Sequence, residues 1–242
     1  MNFDFSDDQK MLKDQARKFL TEKCSTKVVR KILEGDEPYD TALWKQIAEM
    51  GWLGTAIPEE FGGLGLGHLE LCVVAEELGR AVAPVPFSSS VYLATEALLI
   101  AGSDAQKKKY LPKLAAGELI GTFAIAEGPQ PPSPKTVKAT FKGGKLDGTK
   151  APVPDGDVAD FAIVLARSAD GAGERSLSLA IVDLKGAGVS RRAVKTVDPS
   201  RSQAELTFKG AAAEQLGAAG DGWDLAKRVL DRAAILMAFE QV

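Results

Sequence analysis

The spacing of apolar and polar positions changes period twice along the chain. Met11, Leu12, Ala16, Phe19 and Leu20 recur at helical intervals, and Ser6 followed by Gln9 has the form of a capping box. An amphipathic helix is therefore predicted from there to about Lys23. A second is predicted from about Asp40 to Met50, with Leu43, Trp44, Ile47 and Met50 on one face and Gly51 placed to end it. Residues 52–65 hold too much glycine for a helix. The helical pattern resumes at His68 and is expected to stop at Gly79. Pro84 and Pro86 break the chain, and another helix is expected from about Ser90 to Ala101, closed by Gly102. Ser103 with Gln106 is a second capping box, opening a helix that Pro112 must end or kink.

Past residue 118 the period becomes that of strands. Leu119–Glu127 is an apolar strand candidate, Val137, Ala139 and Phe141 alternate with polar residues, and Gly143-Gly144 signals a type I′ hairpin. Phe161 to Ala166 is a continuous apolar run, which predicts a strand buried on both faces. Residues 168–174 read as an exposed loop. Leu177, Leu179 and Ile181 alternate, and Glu205–Phe208 is a further short strand. Strands in succession without helices between them predict an antiparallel barrel or sandwich. From Gly222 the helical period returns, with Ala226, Val229, Leu230, Ala233 and Met237 on one face. That helix reaches Val242 without glycine, proline or a basic last turn, so more chain is expected after it. The fold class expected is α+β. An all-α helical domain (1–117) precedes an antiparallel β-barrel or sandwich domain (118–215), and 216–242 starts a C-terminal helical bundle.

Composition narrows the function. A net charge of -3 gives no basic footprint for nucleic acid, and no apolar run nears the roughly 20 residues of a membrane span. The start, Met1 to Asp8, is acidic and lacks a secretory apolar stretch. Cys24 and Cys72 match no metal-ligand spacing and are expected to be reduced and buried, which together imply a cytoplasmic protein. Lys107-Lys108-Lys109 is read as a solvated face. The single histidine, His68, is read as structural and supports no Ser/His/Asp arrangement. Gly62-Gly-Leu-Gly65 lacks the preceding strand and following Lys-Ser/Thr of a phosphate loop.

Several stretches, in order, resemble the signatures of one enzyme family. Pro58-Glu-Glu-Phe-Gly-Gly-Leu-Gly65 with Glu76-Glu-Leu-Gly79 is similar to that family's first-domain signature, and Tyr110-Leu-Pro-Lys-Leu-Ala-Ala-Gly117 to its approach to the first strand. Gly148-Thr-Lys150 with Gly156-Asp-Val-Ala-Asp160 resembles its flavin-flanking segment. Asp198-Pro-Ser-Arg-Ser, Gly217-Ala-Ala-Gly-Asp-Gly-Trp223 and Leu230-Asp-Arg-Ala-Ala234 complete the series. Together they resemble the flavin-dependent acyl-CoA dehydrogenases, and the resemblance implies FAD as cofactor, an acyl-CoA substrate, electron-transfer flavoprotein as electron acceptor, and a homo- or hetero-oligomer, dimer or tetramer. The family reaction is α,β-dehydrogenation of the thioester: a base takes the α-proton while a hydride passes to the flavin.

The resemblance also implies the site residues, and here the chain departs from the pattern. The family's Thr-Glu-Pro, spacer and Gly-Ser-Asp is replaced by Ala126-Glu127-Gly128 and a Pro-rich run to Pro134, and its aromatic-Ile-Thr by Pro152-Val153-Pro154. A stacking ring, a hydroxyl and two backbone N–H donors are thereby lost. By resemblance the cofactor-binding positions are Phe123, Ile125, Ala126, Pro152, Val153, Pro154 and Arg232. The backbone of Phe123 to Ala126 is what remains to meet the flavin edge. Glu127 is read as a solvated strand-end carboxylate. Asp231, just before Arg232, is the one candidate for the catalytic base, the alternative being a surface pair with Arg228 or Arg232. Two functional readings stand: a FAD-binding acyl-CoA dehydrogenase, and a flavin-poor, non-catalytic subunit of a heteromeric one. A third, a free-standing acyl-CoA or protein binding module, rests on length alone.

Overall fold

The computed structural model describes residues 5–242; the acidic stretch Met1–Asp4 lies outside the described residues. Helix α1 (Asp7–Lys23) begins at the predicted capping box, Ser6 accepting from the Gln9 amide and Gln9 reaching back to the Ser6 amide. Helix α2 (Thr26–Leu33) is absent from the sequence reading. Its signal is short, Val28, Val29, Ile32 and Leu33 set among charged residues, and Val29 and Ile32 are buried. Helix α3 (Thr41–Glu49) is capped by Asp40, whose carboxylate accepts from the Leu43 amide, and Gly51 takes the left-handed conformation at φ 77°. Met50 falls outside the helix and is exposed.

Helix α4 (His68–Arg80) runs through Gly79 rather than stopping at it. That glycine is a packing site: a Cβ there would lie 1.7 Å from the Glu240 carbonyl oxygen. A buried π-helical segment, Ser88–Thr95, continues as α5 (Glu96–Ala101). Helix α6 (Asp104–Ala115) opens at the second capping box and continues past Pro112. Lys109 at its surface pairs with Glu214.

The strands are β1 (Gly121–Ala124), β2 (Thr140–Lys142), β3 (Lys145–Pro154), β4 (Phe161–Arg167), β5 (Leu177–Asp183), β6 (Val189–Ala193) and β7 (Gln203–Leu216). Gly143 and Gly144 both have positive φ, as a type I′ turn between β2 and β3 requires. Pairings β4–β5, β5–β7, β7–β3 and β3–β2 are antiparallel, and one parallel contact, Thr140 with Arg167, closes the ring back to β4. The sheet is thus a barrel. Its departure from the antiparallel expectation is β1, which runs parallel to β4.

Strand β7 is far longer than Glu205–Phe208 because it borders β3 on one edge and β6, then β5, on the other. Strand β6 gave no periodic signal, since most of it is exposed. In β5 the predicted alternation is absent: Ser178, Ala180 and Val182 are as buried as Leu177, Leu179 and Ile181. Helix α7 (Gly222–Glu240) explains this. It lies over the barrel, and a Cβ on Gly222 would sit 2.5 Å from Ser178 backbone atoms. The buried face of α7 carries Leu225, Ala226, Val229, Ala233 and Leu236, whereas Leu230 and Met237 point outward. No helix among the described residues is long and apolar enough to cross a membrane.

Candidate functional site

Beyond Ala124 the chain leaves β4 and turns to pair with the end of β3. The Ala151 amide donates to the Ala126 carbonyl at 2.9 Å, and the Gly128 amide donates to the Ala151 carbonyl at 2.7 Å. The Thr122 hydroxyl donates to the Pro154 carbonyl at 2.6 Å. Residues 122–128 and 151–154, which the sequence set far apart, therefore form one platform.

What fixes the platform is a buried ion pair. Lys150 is 0% exposed, and its Nζ lies 2.7 Å from Glu127 Oε1 while also donating to the Ile125 carbonyl at 3.3 Å. The Glu127 carboxylate further accepts from the Lys138 amide at 2.7 Å and the Ala139 amide at 3.0 Å. Glu127 is not a solvated strand-end group; it joins the end of β1, the approach to β2 and β3. Burial pushes the Lys150 ammonium below its ordinary value, and the facing carboxylate pulls it partly back. The sequence named Lys150 only within a resembling motif and gave it no role, although strand period places it on the same face as buried Leu146.

The side chains named from the sequence divide around this pair. Phe123 (2% exposed) and Val153 (0%) are core residues, Ile125 and Ala126 are half-buried, Pro154 is half-buried and Pro152 is exposed. A cleft of about 350 Å³ opens beside them, lined by Gly128, Lys138, Gly148, Thr149, Ala151 and Glu205. A flavin edge needs hydrogen-bond donors and a stacking face. Pro152 and Pro154 have no N–H, and Ala126 has no hydroxyl. Phe123 and Val153 direct their bulk into the core. The residues present do not fit a flavin held by this chain alone.

Arg232 lies elsewhere. From α7 its Nη1 bonds Oε1 of Glu96 on α5, and His68 Nε2 stands 2.9 Å from the other Glu96 oxygen. Burial pushes the Glu96 carboxyl up, but the hydrogen bonds from His68 and Arg232 outweigh it and hold it below the usual carboxylate range. The bond to Glu96 in turn raises His68 above its ordinary value. His68 and Glu96 thus join α4, α5 and α7, a role no sequence motif signalled. No hydrogen bond or ion pair among the described residues links Arg232 to 122–128 or 151–154. Asp231 is exposed and makes no hydrogen bond or ion pair among the described residues, with Arg228 and Arg232 included.

Comparison with known proteins bears on the fold and the family. Residues 6–118 match the family model of the acyl-CoA dehydrogenase N-terminal domain. Isovaleryl-CoA dehydrogenase, mitochondrial, of Solanum tuberosum is 30% identical over 97% of this chain and 60% of its own length. The glutaryl-coenzyme A dehydrogenase–glutaryl-CoA complex superposes with a TM-score of 0.91 at 28% identity, over 99% of this chain and 64% of that one. A chain in the structure described as the electron transferring flavoprotein of Acidaminococcus fermentans gives 0.88 at 28% identity, over 99% and 66%. The chain spans less than two thirds of the length of curated relatives it matches. With sequence relatives and solved folds agreeing along nearly its whole length, the chain belongs to the acyl-CoA dehydrogenase family.

Proposed function

We propose that the chain serves FAD-linked α,β-dehydrogenation of an acyl-CoA thioester as one subunit of an oligomer with another acyl-CoA dehydrogenase chain. The partner would hold the flavin and supply the base. The observation that carries this reading is the contrast within the platform. Its scaffold is fully built, the Lys150–Glu127 pair and the 126–151 backbone bonds being in place, while Pro152 and Pro154 present no N–H. Ile125 and Ala126 would then contribute backbone to a cofactor held mainly from the other side. Asp231 stands too far into solvent to serve as a desolvated base. Electron-transfer flavoprotein is the proposed acceptor, in keeping with the structural relative described under that name. Buried free thiols at Cys24 and Cys72 suit a cytoplasmic location.

The test is dye-linked oxidation of a panel of acyl-CoA thioesters by the chain alone and by the chain co-purified with an acyl-CoA dehydrogenase homologue. Activity confined to the mixed assembly is expected. Turnover by the chain alone would establish the other reading, a self-sufficient enzyme.

A further inference from the structure

A second cleft, of about 450 Å³, lies between the end of α1, α2 and the end of α4, and none of its residues belongs to the platform. Its base is apolar, with Leu20, Cys24 and Val29 buried there, and Leu33 and Val82 also line it. Burial, with a smaller push from the Asp40 carboxylate, raises the Cys24 thiol to about 11. No acidic residue lines it, whereas Arg30 and Arg80 do. Arg30 is exposed and has no ion pair among the described residues. Close by, Arg17 and Arg80 both bind the buried carboxylate of Glu77.

Val82 is the second observation. It follows α4 as a left-handed C-terminal residue, at φ 49°, its amide donating to the Gly79 carbonyl at 2.9 Å and the Ala83 amide to the Leu78 carbonyl at 3.0 Å. Glycine fills that position without strain, and a β-branched residue there is an outlier. Burial does not offset the strain, because Val82 is 51% exposed. Val82 instead lines the cleft. Strain kept at an exposed position points to use of the side chain rather than to the fold.

We propose that this cleft binds a small molecule with an apolar body and a terminal carboxylate, Arg30 taking the carboxylate and Val82 covering the apolar body. A cleft of this volume, with an apolar base and the polar side chains of Thr21, Ser25, Thr26, Arg30 and Arg80 around it, has the make-up of a small-molecule site. A guanidinium meets a carboxylate through charge-assisted, often paired hydrogen bonds. The occupant is thus a carboxylate rather than a neutral lipid.

The probe is decanoate below its micellar concentration, followed by amide NMR shifts at Thr21, Cys24 and Ala81, with decanol and acetate as comparators. Saturable shifts at these residues are expected with decanoate, weaker ones with decanol and none with acetate. Arg30→Gln should weaken decanoate roughly tenfold and remove its advantage over decanol. Val82→Gly should leave the fold intact or firmer, since it relieves strain, yet weaken decanoate roughly fivefold. The proposal is overturned if decanoate gives no saturable shift at these residues. It is equally overturned if decanol binds as tightly, or if both variants bind as the parent does.

Discussion

Replacing Lys150 with methionine isolates what holds the platform together. The methionine keeps the apolar stem and removes the ammonium, leaving the Glu127 carboxylate in a site where its side chain is only 13% exposed. Removing one partner of a buried pair costs about 3–5 kcal/mol, because the remaining charge is uncompensated. Glu127 keeps its bonds from the Lys138 and Ala139 amides, so the lower end, about 3 kcal/mol, is expected. For a chain of this size each kcal/mol moves the melting temperature by about 2–4 °C, so a fall of roughly 6–12 °C should follow. The second variant is Lys150→Met with Glu127→Gln, which removes the stranded charge and should recover at least about 1 kcal/mol relative to the sum of the single changes. Urea unfolding followed by the fluorescence of buried Trp44 and Trp52 reads both. A single-variant loss below about 1 kcal/mol, or strict additivity in the double variant, would refute the pair as the platform's fastening.

Three further outcomes follow from other parts of the molecule. Gly79→Ala forces a methyl group onto the Glu240 carbonyl and should cost about 1–3 kcal/mol or more, with faster hydrogen exchange at the end of α7; unchanged exchange there would count against the α4–α7 contact. His68 has a folded-state pKa raised above 6.5 by Glu96, so its stabilisation is full below pH 6.5 and is lost as pH rises through the raised value. The stability gap between the parent and His68→Gln should therefore be larger at about pH 5.5 than at about pH 9, and a gap that widens with pH would sink the assignment. Asp231→Asn in the active assembly should keep dehydrogenation within roughly tenfold of the parent, whereas a loss of roughly a hundredfold or more, with folding and flavin content intact, would make Asp231 the base.

The sequence carried the parts of the fold that local chemistry decides. Both Ser-Gln capping boxes open helices where they were placed, and the Gly-Gly pair makes its hairpin, because each feature is settled within four residues. It carried less where packing decides. Gly79 has the same composition whether it ends a helix or admits a neighbour's backbone, and only α7 lying across α4 tells them apart. In β5, small Ser178 and Ala180 look like an outward face until α7 covers them. In α7 the buried stripe is rotated from the expected one, Leu225 and Leu236 taking the inner places of Leu230 and Met237. At the site, the losses at Ala126, Pro152 and Pro154 were legible because each removes a named donor or ring. The fastening was not, because Glu127 and Lys150 are ordinary surface residue types until the strands bring them within 2.7 Å.

If the platform is built but holds no flavin by itself, flavin stoichiometry will show it. The chain is purified alone and together with an acyl-CoA dehydrogenase homologue, and visible absorbance is compared with protein concentration. The account predicts a colourless chain alone and a yellow mixed assembly. Stoichiometric flavin on the chain purified alone would contradict it.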